Sequence, residues 1–233
     1  MRAIFFDFDG TLTYKSPNIW KEIWKSCGYE TDKQSYFESL FGRFMRQEIT
    51  HQEWCDLTCA EFIKSDFNIA TLCELADSIN LIDGFDKTLE ELKNNDISLH
   101  IVSGNLVPVI KRVLGDKVKY FDSINGNDIS FDDQGCITFI KGTNYDFEGK
   151  AKFIEEYKEK TSSYASELVF IGNGDNDEWV HLSGCKTICI NPYETDFTNS
   201  TKWHIAKENV TNLTEILPEL NLRSSSLQDE FVK

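Results

Sequence analysis

The sequence predicts an α/β protein: a doubly wound parallel sheet with helices on both faces, carrying a helical insert and a small β-hairpin. Three observations predict it. Apolar runs at residues 3–6, 97–102, 168–171 and 187–190 have the length and composition of strands buried on both faces. Stretches of helical periodicity alternate with them, the pattern of a parallel sheet covered on both sides. Several runs then end abruptly in polar residues that do nothing for folding, and open α/β sheets bind ligands at that end of their strands.

In chain order, the first run breaks at Asp7-Phe8-Asp9-Gly10-Thr11. Extended backbone points Asp7 and Asp9 the same way, because they are two residues apart. Ser16-Pro17 then reads as a helix start, with Ile19, Trp20, Ile23 and Trp24 at helical spacing. A second helix is expected from about Gln34 to Met45. Thr50-His51-Gln52-Glu53 has the form of a capping box and opens a third. A fourth covers about Ile69 to Ile79. Residues 14–81 therefore form a helical insert, and residues 1–13 with 82–220 form the core.

Lys87–Asn95 is read as a helix, and the strand after it ends in Ser103-Gly104-Asn105. Val107–Leu114 is helical and Tyr120–Ile124 is a third strand. Asp132-Asp133-Gln134-Gly135 between two β-like pieces predicts a hairpin. Gly149-Lys150 starts an amphipathic helix to about Lys158. The strand at 168–171 ends in Gly172-Asn173-Gly174-Asp175-Asn176-Asp177. Residues 221–233 are polar and Ser-rich and read as a tail.

The chain of 233 residues, 40% of them hydrophobic, can bury a substantial core. A net charge of −15 excludes a nucleic-acid partner, whose phosphates need a basic surface. It does not exclude a small anionic ligand, which responds to the local field. No apolar run is long enough to span a membrane and no secretory signal precedes the first strand, so a cytoplasmic protein is expected. The seven cysteines lack zinc-site spacing and fit reduced thiols.

Asp7, Asp9, Ser103, Lys150 and the 173–177 loop make chemical sense together if the substrate is a phosphate ester. One carboxylate attacks phosphorus while a second acid protonates the leaving alcohol and later activates water. A Ser hydroxyl and a Lys ammonium hold phosphoryl oxygens. A Mg²⁺ ion with oxygen ligands lets two anions meet.

On these residues the chain resembles the haloacid dehalogenase-like hydrolase superfamily, with its Rossmann-like core. Asp7-Phe8-Asp9-Gly10-Thr11 is similar to the first motif, which implies Asp7 as nucleophile and Asp9 as acid/base, with the Asp9 carbonyl on the metal. Val102-Ser103-Gly104 resembles the second motif, Lys150 the third, and Gly172–Asp177 the fourth. The insert resembles a helical cap, and the region ending in Glu148-Gly149-Lys150 is similar to the phosphoserine phosphatase branch. The resemblance implies a phosphomonoesterase with Asp7, Asp9, Ser103 and Lys150 catalytic. It further implies a phosphate site including Thr11, Ser103, Gly104 and Lys150, and metal ligands among Asp7, Asp9, Asn173 and Asp177. Arg43 and Arg46, in the insert, are expected to face the pocket.

Two positions depart from the pattern. Asn173 stands where the fourth motif has Asp, which removes one negative charge from the metal site; Asn173 is expected to ligate through its oxygen and Asp177 directly or through water. Ser16 stands where the phosphoserine branch has the Glu that reads the substrate ammonium. The expected function is therefore Mg²⁺-dependent hydrolysis of a small phosphorylated metabolite. The alternatives are phosphoserine phosphatase proper, or a phosphate-binding regulatory protein with a weakened metal site.

Overall fold

The computed structural model describes residues 1–15, 17–145, 148–192 and 202–222. Its centre is β1 (Ala3–Phe6), four residues that are all buried. β1 pairs in parallel with β2 (Ser98–Leu106) on one side and β5 (Leu168–Gly172) on the other. The remaining strands are β3 (Ser123–Phe131), β4 (Ile137–Lys141), β6 (Lys186–Ile190) and β7 (Ile205–Lys207). They complete a seven-stranded sheet of order β4-β3-β2-β1-β5-β6-β7, parallel throughout except for the β3–β4 hairpin.

The unbroken apolarity of β1 follows from its place. Ile4 and Phe6 point into a cluster with Leu89 and Leu92 of α5 (Phe85–Asn94) and Ile110 of α6 (Val107–Leu114). Ala3 and Phe5 point the other way, towards Ile154 of α7 (Glu148–Thr161) and Val180. Alternate side chains feed opposite layers, so both must be hydrophobic.

Between β1 and α5 the chain forms α1 (Ile19–Ser26), α2 (Tyr36–Met45), α3 (His51–Lys64) and α4 (Ile69–Asp77). All four have side-chain N-caps, which satisfy backbone N–H groups left open by the first turn. Asn18 accepts from Lys21 N, Ser35 from Glu38 N, and Asn68 from Thr71 N, while Thr50 and Glu53 close the capping box. The first helix thus starts at Asn18 rather than at Ser16-Pro17, and Ser16 lies outside the described residues. The ends of the helical segment lie side by side: Tyr14 N donates to Asn80 O and Ile82 N to Leu12 O.

Two further element boundaries differ from the sequence expectation. β2 runs on through Ser103-Gly104-Asn105 to Leu106, with a register shift against β3. β3 is one strand from Ser123 to Phe131 rather than two short β pieces parted by a turn at Asn125-Gly126-Asn127. The hairpin also shares a core with the insert: Ile129, Ile137 and Ile140 pack in one cluster with Trp24, Phe37, Trp54 and Phe62. Most of the expected tail, residues 223–233, lies outside the described residues. Among the described residues no helix is long and apolar enough to cross a membrane.

Candidate active site

Asp7 follows β1 directly, and its backbone N–H donates to Ile171 O, extending the β1–β5 pairing by one rung. Its side chain is 6% exposed. Lys150, fully buried in the first turn of α7, donates from Nζ to Asp7 Oδ1 at 2.9 Å and to Asp177 Oδ1. Asp177 is held from its other side: Oδ2 accepts from Asn173 N at 2.9 Å and Gly174 N at 3.1 Å. The β1 end, the α7 start and the loop after β5 therefore meet at one ammonium.

Burial is the largest influence on Asp7; with repulsion from Asp177 it outweighs the attraction of Lys150 and pushes the carboxyl up to about 6. Burial alone would depress the Lys150 ammonium, but Asp177 and Asp7 outweigh it and hold the group above the ordinary lysine range. A buried cation is tolerable here because both partners are within hydrogen-bond reach.

Ser103 is 1% exposed, and its Oγ accepts from Asn105 N at 3.2 Å. The Gly104 carbonyl accepts from Trp20 Nε1 of α1 at 3.1 Å and from Asn127 Nδ2 of β3 at 2.6 Å. Asn127 Oδ1 in turn accepts from Thr143 N and Thr143 Oγ1 at 2.6 and 2.8 Å. β3 passes closely behind this segment, and a Cβ on Gly126 would lie 2.6 Å from Asn105 O. Thr11 is fully buried, and its Oγ1 is without a hydrogen-bond partner among the described residues.

Asp9 is half-buried, and Asn105 Nδ2 donates to its two carboxylate oxygens at 2.9 and 3.0 Å. The sequence reading did not single out Asn105. The signal was present: Ser103 and Asn105 are two residues apart in extended chain, the spacing that drew attention to Asp7 and Asp9.

Three further expected site residues have their own local partners or surroundings. Arg43 and Arg46 are exposed, and Arg46 pairs Nε with Glu48 Oε1 at 2.7 Å with its side chain 62% exposed. A neighbouring carboxylate two residues on holds Arg46 at the surface. Asp177, expected as a metal ligand, accepts from Lys150 on Oδ1 and from two backbone N–H groups on Oδ2, contacts that anchor the lysine and its own loop.

The remaining oxygens suit a hard cation. The triad of Asp7, Asp177 and Lys150 carries two carboxylates against one ammonium, and a phosphate ester would add further negative charge to a buried place. Asn173 is 2% exposed, and its Nδ2 is buried without a partner among the described residues. The amide lies against the Asp9–Gly10 turn, where a Cβ on Gly10 (φ 72°) would come within 2.1 Å of Nδ2. Turning the amide over presents its carbonyl oxygen in the same place, an oxygen donor of the kind Mg²⁺ takes. Among the described residues no three His, Cys, Asp or Glu side chains converge on a metal position.

A haloacid dehalogenase-like hydrolase model matches residues 1–179, and the chain belongs to that family. It is 26% identical over 219 residues to a phosphoserine phosphatase of Archaeoglobus fulgidus, covering 93% of this chain and 60% of that protein. The chain thus spans about 60% of the length of the relative it matches. Among solved structures, it is similar to an aspartyl-phosphate intermediate analogue of phosphoserine phosphatase, with a TM-score of 0.74 at 19% identity over 94% of this chain and 98% of that one. A probable phosphoserine phosphatase from Vibrio cholerae, unliganded, gives 0.73 at 15% identity over 94% and 64%. At these identities the likeness speaks for the fold.

Proposed function

We propose that the chain is a Mg²⁺-dependent phosphomonoesterase that hydrolyses a small phosphorylated metabolite through an aspartyl-phosphate on Asp7. The observation that carries this reading is the buried Lys150 Nζ shared between Asp7 and Asp177. An ammonium in that position keeps a carboxylate oriented and partly neutralised beside an incoming anion.

In this reading the Asp7 oxygen attacks phosphorus as the bond to the alcohol breaks. Asp9 gives a proton to the departing oxygen and later takes one from the water that hydrolyses the intermediate. Ser103 Oγ donates to a phosphoryl oxygen, and Thr11 and the Gly104 segment shape the same pocket. Asp7, the Asp9 carbonyl and Asn173 would hold Mg²⁺, which supplies charge neutralisation. Residues 14–81 serve as a cap that closes over the site and excludes water.

The named relatives favour phosphoserine as the substrate. Against it stands Ser16, where that branch carries an acidic residue for the ammonium. A phosphatase screen across about a hundred phosphorylated metabolites, with Mg²⁺, Mn²⁺ or Co²⁺ and an Asp7→Asn control, separates the readings. Hydrolysis abolished by Asp7→Asn supports the proposal. Exclusive activity on phosphoserine would replace the broader substrate assignment, and no hydrolysis of any ester would overturn the enzyme reading.

A further inference from the structure

Asn105 is 1% exposed and makes three fixed contacts. Its backbone N–H donates to Ser103 Oγ, its Oδ1 accepts from Leu106 N, and its Nδ2 donates to both oxygens of Asp9. The second contact settles the third. With Oδ1 engaged by a backbone N–H, the end of the amide that faces Asp9 must be the NH₂ group. The segment behind it is held in turn, because Trp20 and Asn127 both donate to the neighbouring Gly104 carbonyl. A carboxylate on the loop after β1 thus takes its direction from the adjacent strand β2.

We propose that Asn105 is a positioning residue for the leaving-group side of the reaction, its carboxamide aiming the Asp9 carboxyl at the ester oxygen of the departing alcohol. The inference rests on the phosphomonoesterase reading. In the step concerned, the bond between Asp7 oxygen and phosphorus forms, the phosphorus–oxygen bond to the alcohol breaks, and the proton on Asp9 passes to that oxygen. One Asp9 oxygen stays on the Asn105 amide while the other carries the proton. A neutral amide suits this role, since it donates firmly and does not compete as an acid.

Such a residue matters in proportion to how much the leaving group needs a proton. The test is therefore a series of substituted phenyl phosphates, from p-nitrophenyl to p-methoxyphenyl, assayed as kcat/KM. That parameter covers only the steps through formation of the aspartyl-phosphate. Asn105→Ala and the isosteric Asn105→Asp, which keeps the acceptor for Leu106 N, should each lose roughly tenfold more on the p-methoxyphenyl ester than on the p-nitrophenyl ester. Asp9→Asn should show the same steepening, and adding Asn105→Ala to it should steepen nothing further. Equal losses on all esters would overturn the inference, as would loss of the folded circular-dichroism signal in both Asn105 variants, which would make the residue structural. Failure of the phosphatase reading looks different: the wild type itself would hydrolyse no ester above the Asp7→Asn background, and the inference would fall with it.

Discussion

Trp20 and Gly104 are 84 positions apart in sequence, yet the indole N–H of the first donates to the carbonyl of the second at 3.1 Å. A side chain of the helical insert thereby holds the β2 segment that carries Ser103. Trp20 also stacks edge-on against Trp54, with ring centroids 4.9 Å apart, so the indole is fixed from the insert side too.

Trp20→Phe keeps the ring packing and removes only the N–H. The Gly104 carbonyl retains its Asn127 donor, so no acceptor is orphaned. The expected outcome is a fall in kcat of about fivefold, equivalent to one net hydrogen bond of about 1 kcal/mol, with little change in melting temperature. Steady-state kinetics beside a thermal melt checks both halves.

Lys150→Met should destabilise the protein by about 3–5 kcal/mol at pH 8, because it leaves two buried carboxylates uncompensated. Urea unfolding measures it. The deficit should narrow towards pH 5, where Asp7 can relieve the repulsion by taking up a proton.

Asp7→Asn should abolish turnover and raise stability in chelator-treated protein. The folded-state value of Asp7 is raised from 3.8 to about 6, so the folded form binds this proton more tightly than the unfolded chain does. Ionised Asp7 therefore costs stability in full above pH 6. The wild type regains it as the pH falls from about 6 towards 3.8. The melting-temperature advantage of the Asn variant should be largest near pH 8, corresponding to roughly 1–3 kcal/mol, and should shrink by pH 5.

Asn173→Asp puts a carboxylate against the Gly10 turn. Titration calorimetry should find Mg²⁺ binding tighter by roughly tenfold, since the affinity of a hard-cation site rises with ligand charge. Unchanged or weaker binding would remove Asn173 from the proposed ligand set.

What could be read in the sequence was what leaves a local trace. The apolar run of β1 has to end where its two buried layers end, and that places Asp7. The lysine at the start of α7 and the loop after β5 announced themselves likewise, as polar residues at element ends. The partners of Asn105 and Trp20 leave no such trace, because Asp9 and Gly104 lie 96 and 84 positions away and no period connects them. The hairpin was assigned to the core for the same reason: its turn is legible, but the packing of Ile137 and Ile140 against the insert is a tertiary fact. Arg46 illustrates a local pairing that spacing alone does not announce: its guanidinium meets Glu48 two residues on, at the surface.

The side chain of Gln52 bears on how this molecule avoids sticking to its own copies. β4 ends the sheet, and the carboxamide of Gln52 meets it as a strand would, donating to Ile140 O at 3.0 Å and accepting from Gly142 N at 2.9 Å, while Phe67 O accepts from Ile137 N at 3.1 Å. Helices that frame a pocket thus also blunt the open rim of a β-sheet, which would otherwise be a template for foreign strands. Cutting away residues 14–81 would consequently yield an insoluble, self-associating fragment rather than an open, uncapped enzyme.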